Sequence, residues 1–163
     1  MYSTDAIIDW KNQILSELQN NDEIISALGI NSDEDEDDLI WKRIFPHYYV
    51  EPTQEQTKTY ICVEINIPET RVSRYVKSSD FYSHPQIIFY VISHQNDMKM
   101  SADGKSATRT DYIGKLIEDS YNGRTGFGVG KLQRKSNVEG ALNDTFRTRI
   151  IVFDAVEIDK DLC

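Results

Sequence analysis

Gln86-Ile-Ile-Phe-Tyr-Val-Ile-Ser-His94 is the most apolar run in the chain, and its reading decides the fold. Ile87, Phe89 and Val91 fall on one side of an extended backbone, and Ile88, Tyr90 and Ile92 on the other. Short, β-branched and aromatic, with apolar residues on both faces, the run reads as a strand covered on both sides. A buried helical segment is the competing reading. The run is short for a helix, and Pro85 pushes the residue before it towards extended geometry, so the strand is preferred. The rest of the chain reads as material that flanks or covers this strand.

Upstream, Thr57 to Ile67 alternates, with Ile61, Val63, Ile65 and Ile67 on one side and Tyr60, Cys62, Glu64 and Asn66 on the other. That pattern predicts a strand with one buried face, ended by Pro68. Between the two strands, residues 68–85 are too long for a tight turn. They carry Arg71, Arg74 and Lys77 with Tyr75, Phe81 and Tyr82. A long connection on a small domain is commonly functional, and this one reads as a hairpin arm with a basic, aromatic tip that contacts other subunits. Leu39 to Val50 gathers Trp41, Phe45, Tyr48 and Tyr49 around Pro46, as residues sealing a core edge or an interface do, with a short strand expected at His47 to Val50.

Two stretches have helical spacing. Thr4 to Leu18 places Ile7, Lys11, Ile14 and Leu18 on one stripe with Ile8 and Leu15 beside it, and Ala107 to Tyr121 groups Tyr112, Ile113, Leu116 and Ile117. A short helix at Glu23 to Leu28 is closed by Gly29, and Asn122-Gly123 stops the second long helix. Downstream, Asn96 to Lys105 reads as a polar, mobile loop, Phe127 to Lys135 as a glycine-rich strand, Ser136 to Asp144 as a loop, and Thr145 to Ile158 as the last strand. No strand and helix alternate as βαβ units do. The expected fold is therefore α+β in one domain spanning 1–163: a mostly antiparallel sheet of about four to five strands, two main helices on one face, and the long hairpin arm.

The acidic run Asn31 to Asp38 contains six consecutive carboxylates, Asp33, Glu34, Asp35, Glu36, Asp37 and Asp38. Mutual repulsion predicts an extended, solvated loop, either touching a basic neighbour or facing a channel. It lacks the glycine and closing glutamate of a helix-loop-helix calcium site. The formal net charge of -9 is a poor balance for gripping nucleic-acid phosphates. Mean hydropathy is -0.51, no run approaches a membrane span, and the first residues do not read as a signal peptide. Cys62 and Cys163 make no disulfide framework, which suits a reducing compartment.

Catalytic chemistry is not legible. Gly123 to Gly130 is glycine-rich but lacks the lysine-serine/threonine ending of a phosphate loop and leads into a strand. His47, His84 and His94 have no helical metal spacing, neither cysteine has a histidine nearby, and most carboxylates sit in the acidic run. The expectation is no enzyme, with no catalytic, metal or cofactor residues.

Taken together, Lys58 to Pro68, Ile87 to His94, Arg109 to Glu118, Asn122-Gly123, Phe127 to Leu132 and the closing strand at Arg147 to Phe153 resemble the tail terminator (tail completion, or neck) proteins of tailed bacteriophages. The likeness covers roughly Thr57 to Phe153, and the acidic run is a departure from it. The resemblance implies a small subunit of a ring, usually hexameric. Such a ring caps the tail tube, joins it to the head connector, and lets DNA pass through its lumen without specific binding. It also implies a virion location after assembly in the host cytoplasm, with the tail tube protein and a connector or stopper protein as partners. The head-closure (stopper) protein of the same neck is the nearest alternative, but a small β-barrel with fewer helices would be expected of it. A stand-alone enzyme or host-interaction protein is the alternative from another class.

Overall fold

The structure is a computed structural model, and it describes residues 4–49, 56–67, 70–72, 81–128 and 130–156, with backbone only at 70–72 and 81–83. The order of elements is α1 (Thr4–Gln19), α2 (Asp22–Leu28), β1 (Ile44–Phe45), β2 (Thr59–Asn66), β3 (Thr70–Val72), β4 (Phe81–Ser83), β5 (Gln86–His94), β6 (Lys99–Ala102), β7 (Lys105–Thr108), α3 (Arg109–Tyr121), β8 (Lys131–Ala141) and β9 (Phe146–Val156). The main sheet has the order β1-β2-β5-β9-β8, and β3-β4 and β6-β7 form separate two-stranded pairs. Among the described strand pairs, β1 against β2 is parallel and the others are antiparallel. This is the expected α+β class, mostly antiparallel, with helices on one face.

The strand Gln86–His94 lies at the centre of the sheet, bonded to β2 on one side and β9 on the other. Its helix-facing residues Ile87, Phe89 and Val91 are fully buried, with Ile61, Val63 and Ile65 of β2 and Ile151, Phe153 and Ala155 of β9 in the same core. Phe89 meets Tyr121 of α3 at 4.9 Å between ring centroids and Phe153 edge-on at 5.8 Å. α1 buries Trp10, Ile14, Leu15 and Leu18 against this layer, whereas Ile8, expected beside the apolar stripe, is 53% exposed. The buried stripe is rotated from the expected one because Trp10, the largest side chain in the helix, packs inward, 6.5 Å from Phe127.

Gly114 explains how α3 comes so close to the sheet. A Cβ there would stand 2.8 Å from Arg149 Cδ and 3.4 Å from Ile151 Cδ1 of β9. The glycine that weakens the helix intrinsically is what lets the helix approach.

The second face of the sheet is covered only in part, contrary to a strand covered on both sides. Phe45 and Tyr49 close over Tyr60, Cys62, Ile92 and Phe146, with Tyr90 and Leu142 at the margin. The first half of β2 is thus buried on both faces and not on one. The strand expected at His47 to Val50 is instead Ile44–Phe45. Pro46, with no N–H, ends the ladder there, and Val50 lies outside the described residues.

Three further expectations change. Residues 99–108 are a hairpin and not a loop. Asp103 (φ 52°) and Gly104 (φ 74°) form its turn, a signal for a tight β-hairpin in any Asp-Gly pair. The following helix consequently starts at Arg109, capped by Thr108, whose hydroxyl accepts from Asp111 N. The stretch 136–144, expected as a loop, is mostly strand. β8 continues to Ala141 against β9 with one irregularity between Arg134 and Ser136, and Asn143 closes the turn by accepting from the N–H groups of Thr145 and Phe146. Its polar residues belong to an outer strand, where one edge faces solvent.

Candidate functional site

The acidic turn is tied to the domain at Glu34, while the other five carboxylates are exposed to solvent as expected of a solvated loop. α2 ends at Gly29, in the left-handed conformation at φ 64°, leaving its last carbonyls unsatisfied. Two arginines bind them: Arg43 Nη2 donates to Leu28 O at 2.6 Å, and Arg109 Nη1 donates to Ala27 O. Cations at a helix C-terminus are favoured by the peptide dipoles. Arg43 is only 1% exposed, and its Nε donates to Thr59 O at the start of β2 at 2.8 Å. Its counter-charge is Glu34, with both carboxylate oxygens within 2.9 Å of Nη1. Lys58 stands 3.8 Å from the same carboxylate. Of the six carboxylates, Glu34 is therefore a structural member of a buried ion pair.

The others are outward. Asp38 meets Lys42 at 2.5 Å, with both side chains more than half exposed, so the pair contributes little to stability. Asp35 accepts from Asp37 N, and Glu36 offers its backbone carbonyl to Gln19 of α1. Gln19 in return accepts from Leu39 N at 2.7 Å. These ties fix the turn so that Asp33, Asp35, Glu36 and Asp37 form an exposed acidic ridge. Beside it, Trp41 adopts φ 69°, uncommon for a bulky residue, and is 63% exposed, 5.6 Å from His47.

A second polar network lies beneath. Thr59 Oγ1 shares a 2.8 Å hydrogen bond with Ser93 Oγ and donates to Asp97 at 2.7 Å. Asp97 receives Arg109 Nε on its backbone carbonyl at 2.7 Å. Thr59 and Ser93 are fully buried, and the network joins the start of β2 and the end of β5 to the α3 N-terminus.

At the opposite end of the helical layer, Glu17 of α1 binds both Nη atoms of Arg124, at 2.6 and 2.8 Å, and accepts from Tyr121 Oη at 2.9 Å. The Arg124 guanidinium holds the Glu17 carboxyl below its ordinary pKa, and burial pushes the Tyr121 phenol up. Burial likewise raises the Cys62 thiol to about 12, in a site where it donates to Tyr49 O. A thiol held neutral is a poor nucleophile.

The glycine-rich stretch after α3 leads into β8 and not into a helix. Its turn buries Phe127 in the core, while Gly123 N donates to Leu132 O. Among the described residues, no group of three or more His, Cys, Asp or Glu side chains converges as metal ligands would. His47, His84 and His94 are far apart in role: His47 packs on Trp41, His84 bonds to Ala155 O, and His94 accepts from Asn96 N. No described helix is long and apolar enough to cross a membrane.

The arm is placed by its backbone at its two ends. β3 pairs with β4 through Thr70↔Ser83, Arg71↔Tyr82 and Val72↔Phe81. This pair follows on from the β2–β5 ladder, whose last partners are Asn66 and Gln86. Arg71, Phe81 and Tyr82 are thus on a ladder beyond the main sheet; Arg74, Tyr75 and Lys77 lie outside the described residues.

Residues 14–155 match the YomW family. The chain belongs to the YomW family. The family's name is that of an SPβ-type prophage protein, which makes the chain phage-associated. No curated protein and no solved structure matches the chain.

Sequence reading missed Arg43 and Arg109 as the clamps on α2. The available signal was a short helix closed by Gly29 with arginines elsewhere to bind its carbonyls, but nothing in the spacing names which arginine.

Proposed function

We propose that this member of the YomW family is a structural protein of a bacteriophage neck, a tail terminator subunit. Six copies form a ring that caps the tail tube and joins it to the head connector. Double-stranded DNA passes through the lumen, and the subunit has no catalytic role. The observation that carries the reading is the β3–β4 ladder, a hairpin prolonged beyond the main sheet at the end of its inner strands β2 and β5. A ladder that runs on past the main sheet has the reach to touch a neighbouring subunit. The exposed acidic ridge supports the reading, since a negative wall lets a duplex slide without sticking. The amphipathic helices α1 and α3 favour a terminator over a head-closure protein built as a β-barrel.

The test replaces residues 70–83 with a short turn. The trimmed chain is expected to keep its fold and to lose ring formation and the joining of heads to tails in an extract lacking the native protein. Joining at the normal yield by the trimmed chain would remove the arm from the interface. A wild-type chain that stays monomeric in particles and in solution would favour a stand-alone enzyme or host-interaction protein.

A further inference from the structure

Among the described residues, Trp41 is the largest apolar side chain left in solvent, 63% exposed. Its place is fixed. Trp41 N donates to Ile44 O at 2.8 Å, Lys42 N donates to Leu39 O at 3.0 Å, and the indole leans on the His47 ring with the two planes 46° apart. The acidic ridge ends three residues earlier at Asp38, whose N–H donates to Asp35 O at 3.1 Å. The turn therefore presents an indole next to carboxylates. Asp38 is matched by Lys42, while Asp33, Asp35, Glu36 and Asp37 are in no ion pair among the described residues. An exposed indole is the strongest aromatic acceptor for a cation, and tryptophan is prominent among the residues that anchor protein contacts. An indole with free carboxylates beside it fits a segment in which arginine or lysine alternates with aromatic residues.

The chain contains such a segment at its other end. Residues 70–83 carry Arg71, Arg74 and Lys77 around Tyr75, with one carboxylate, Asp80. The acidic turn is anchored at the start of β2, where Arg43, bound by Glu34, donates to Thr59 O. The arm leads onward from the far end of the same strand, past Asn66. At about 3.3 Å per residue the eight residues of β2 put roughly 23 Å between these two points. The arm of one copy thus runs away from its own ridge. Two different surfaces at opposite ends of one element are the arrangement of a head-to-tail contact, in which every copy gives with one and receives with the other. Charge favours the same match. Copies that each carry -9 repel unless cations of one meet carboxylates of the next. The folded body has few cations to offer: among the described arginine side chains, all but Arg147 are in an ion pair within their own chain.

We infer that Trp41 and the carboxylates before it receive the basic, aromatic arm of a second copy, an arginine or lysine of the arm lying over the indole. The inference rests on the reading of the arm as a contact between subunits, and it names the surface that the arm meets. Four unpaired carboxylates outnumber the three cations of the arm, so the ridge stays negative once the arm has docked.

Sedimentation velocity of the full chain at about 50 mM and about 500 mM salt tests it, with circular dichroism melts to verify that each variant is folded. The wild type is expected to associate at low salt and to do so about tenfold more weakly at high salt. Asp35→Lys with Asp37→Lys should weaken the association about tenfold or more, and so should Arg74→Glu with Lys77→Glu. Trp41→Ala, which leaves every charge in place, should weaken it to a similar degree, about tenfold. Mixed together, the ridge variant and the arm variant should associate again, since each offers the charge that the other now needs. Ile8→Lys, on an exposed position of α1, should change nothing. A wild-type chain that is monomeric up to about 100 μM at low salt would overturn the inference and leave the neck reading, which requires assembly only on a tail. A mixture that stays monomeric would also overturn it. Association lost with the arm variant but unchanged by the ridge variant and by Trp41→Ala would keep the arm as an interface and remove this surface as its seat.

Discussion

Replacing Glu34 by Gln removes one negative charge from a chain that has an excess of them, and removes the one that the fold requires. Arg43 is almost wholly buried, and its other partners, Leu28 O and Thr59 O, are neutral. Truncating one partner of a buried ion pair costs about 3–5 kcal/mol, because the remaining charge is left in a site it cannot leave. Two features move the expectation to the low end, about 3 kcal/mol. The Glu34 side chain is 15% exposed, so water reaches its outer edge, and Gln keeps one acceptor for Arg43. For a chain of this size that corresponds to a fall of about 6–12 °C in the melting midpoint. The measurement is a pair of thermal and urea unfolding curves for Glu34→Gln. A matched variant carries Asp33→Asn, Asp35→Asn, Glu36→Gln and Asp37→Asn together. The fourfold variant removes more charge and should stay within about 0.5 kcal/mol of wild type, as surface substitutions do. A Glu34→Gln protein that unfolds with the wild type, or a fourfold variant that falls as far as Glu34→Gln, would refute the buried-pair argument.

Phe89→Ala should cost about 3–5 kcal/mol, since it removes a fully buried ring packed between Tyr121 and Phe153; an unchanged urea midpoint would contradict the central core. Glu17, whose pKa is depressed by Arg124, contributes stability that is complete above its ordinary value of 4.5 and is lost as pH falls through the lower folded value. Glu17→Gln should therefore flatten the fall in melting temperature below about pH 4.5, and a slope equal to wild type would remove Glu17 from the acid response. With its thiol held neutral by burial, Cys62 should resist a disulfide reagent at pH 8 in a Cys163→Ser background and react on unfolding; rapid reaction of the native protein would mean that the site opens.

The parts of the fold that the sequence made legible are those where one burial pattern acts alone. Gln86–His94 and Thr59–Asn66 alternate or run apolar because they occupy the middle of the sheet, and α3 shows its stripe because one side faces that sheet. The second half of β8, residues 136–141, was hidden because an outer strand has few buried residues: only Leu132 is fully buried among Lys131–Ala141. The β6–β7 hairpin was hidden because its strands are four residues each, with only Met100, Ala102 and Ala107 apolar, and Asp103-Gly104 marks the turn. In the acidic turn, composition is uniform and environment is not. Six adjacent carboxylates look alike, and Glu34 differs only because Arg43, nine residues on, is folded beneath it. Ion pairs of this kind depend on where two loops meet in space, which periodicity does not encode.

The ring claim is tested most directly by adding the purified chain to tail tubes that lack it and imaging them by electron microscopy. The account predicts a six-fold ring at one end of each tube, and heads that join only capped tubes. Bare tube ends, with the chain remaining free in solution and heads joining without it, would contradict it.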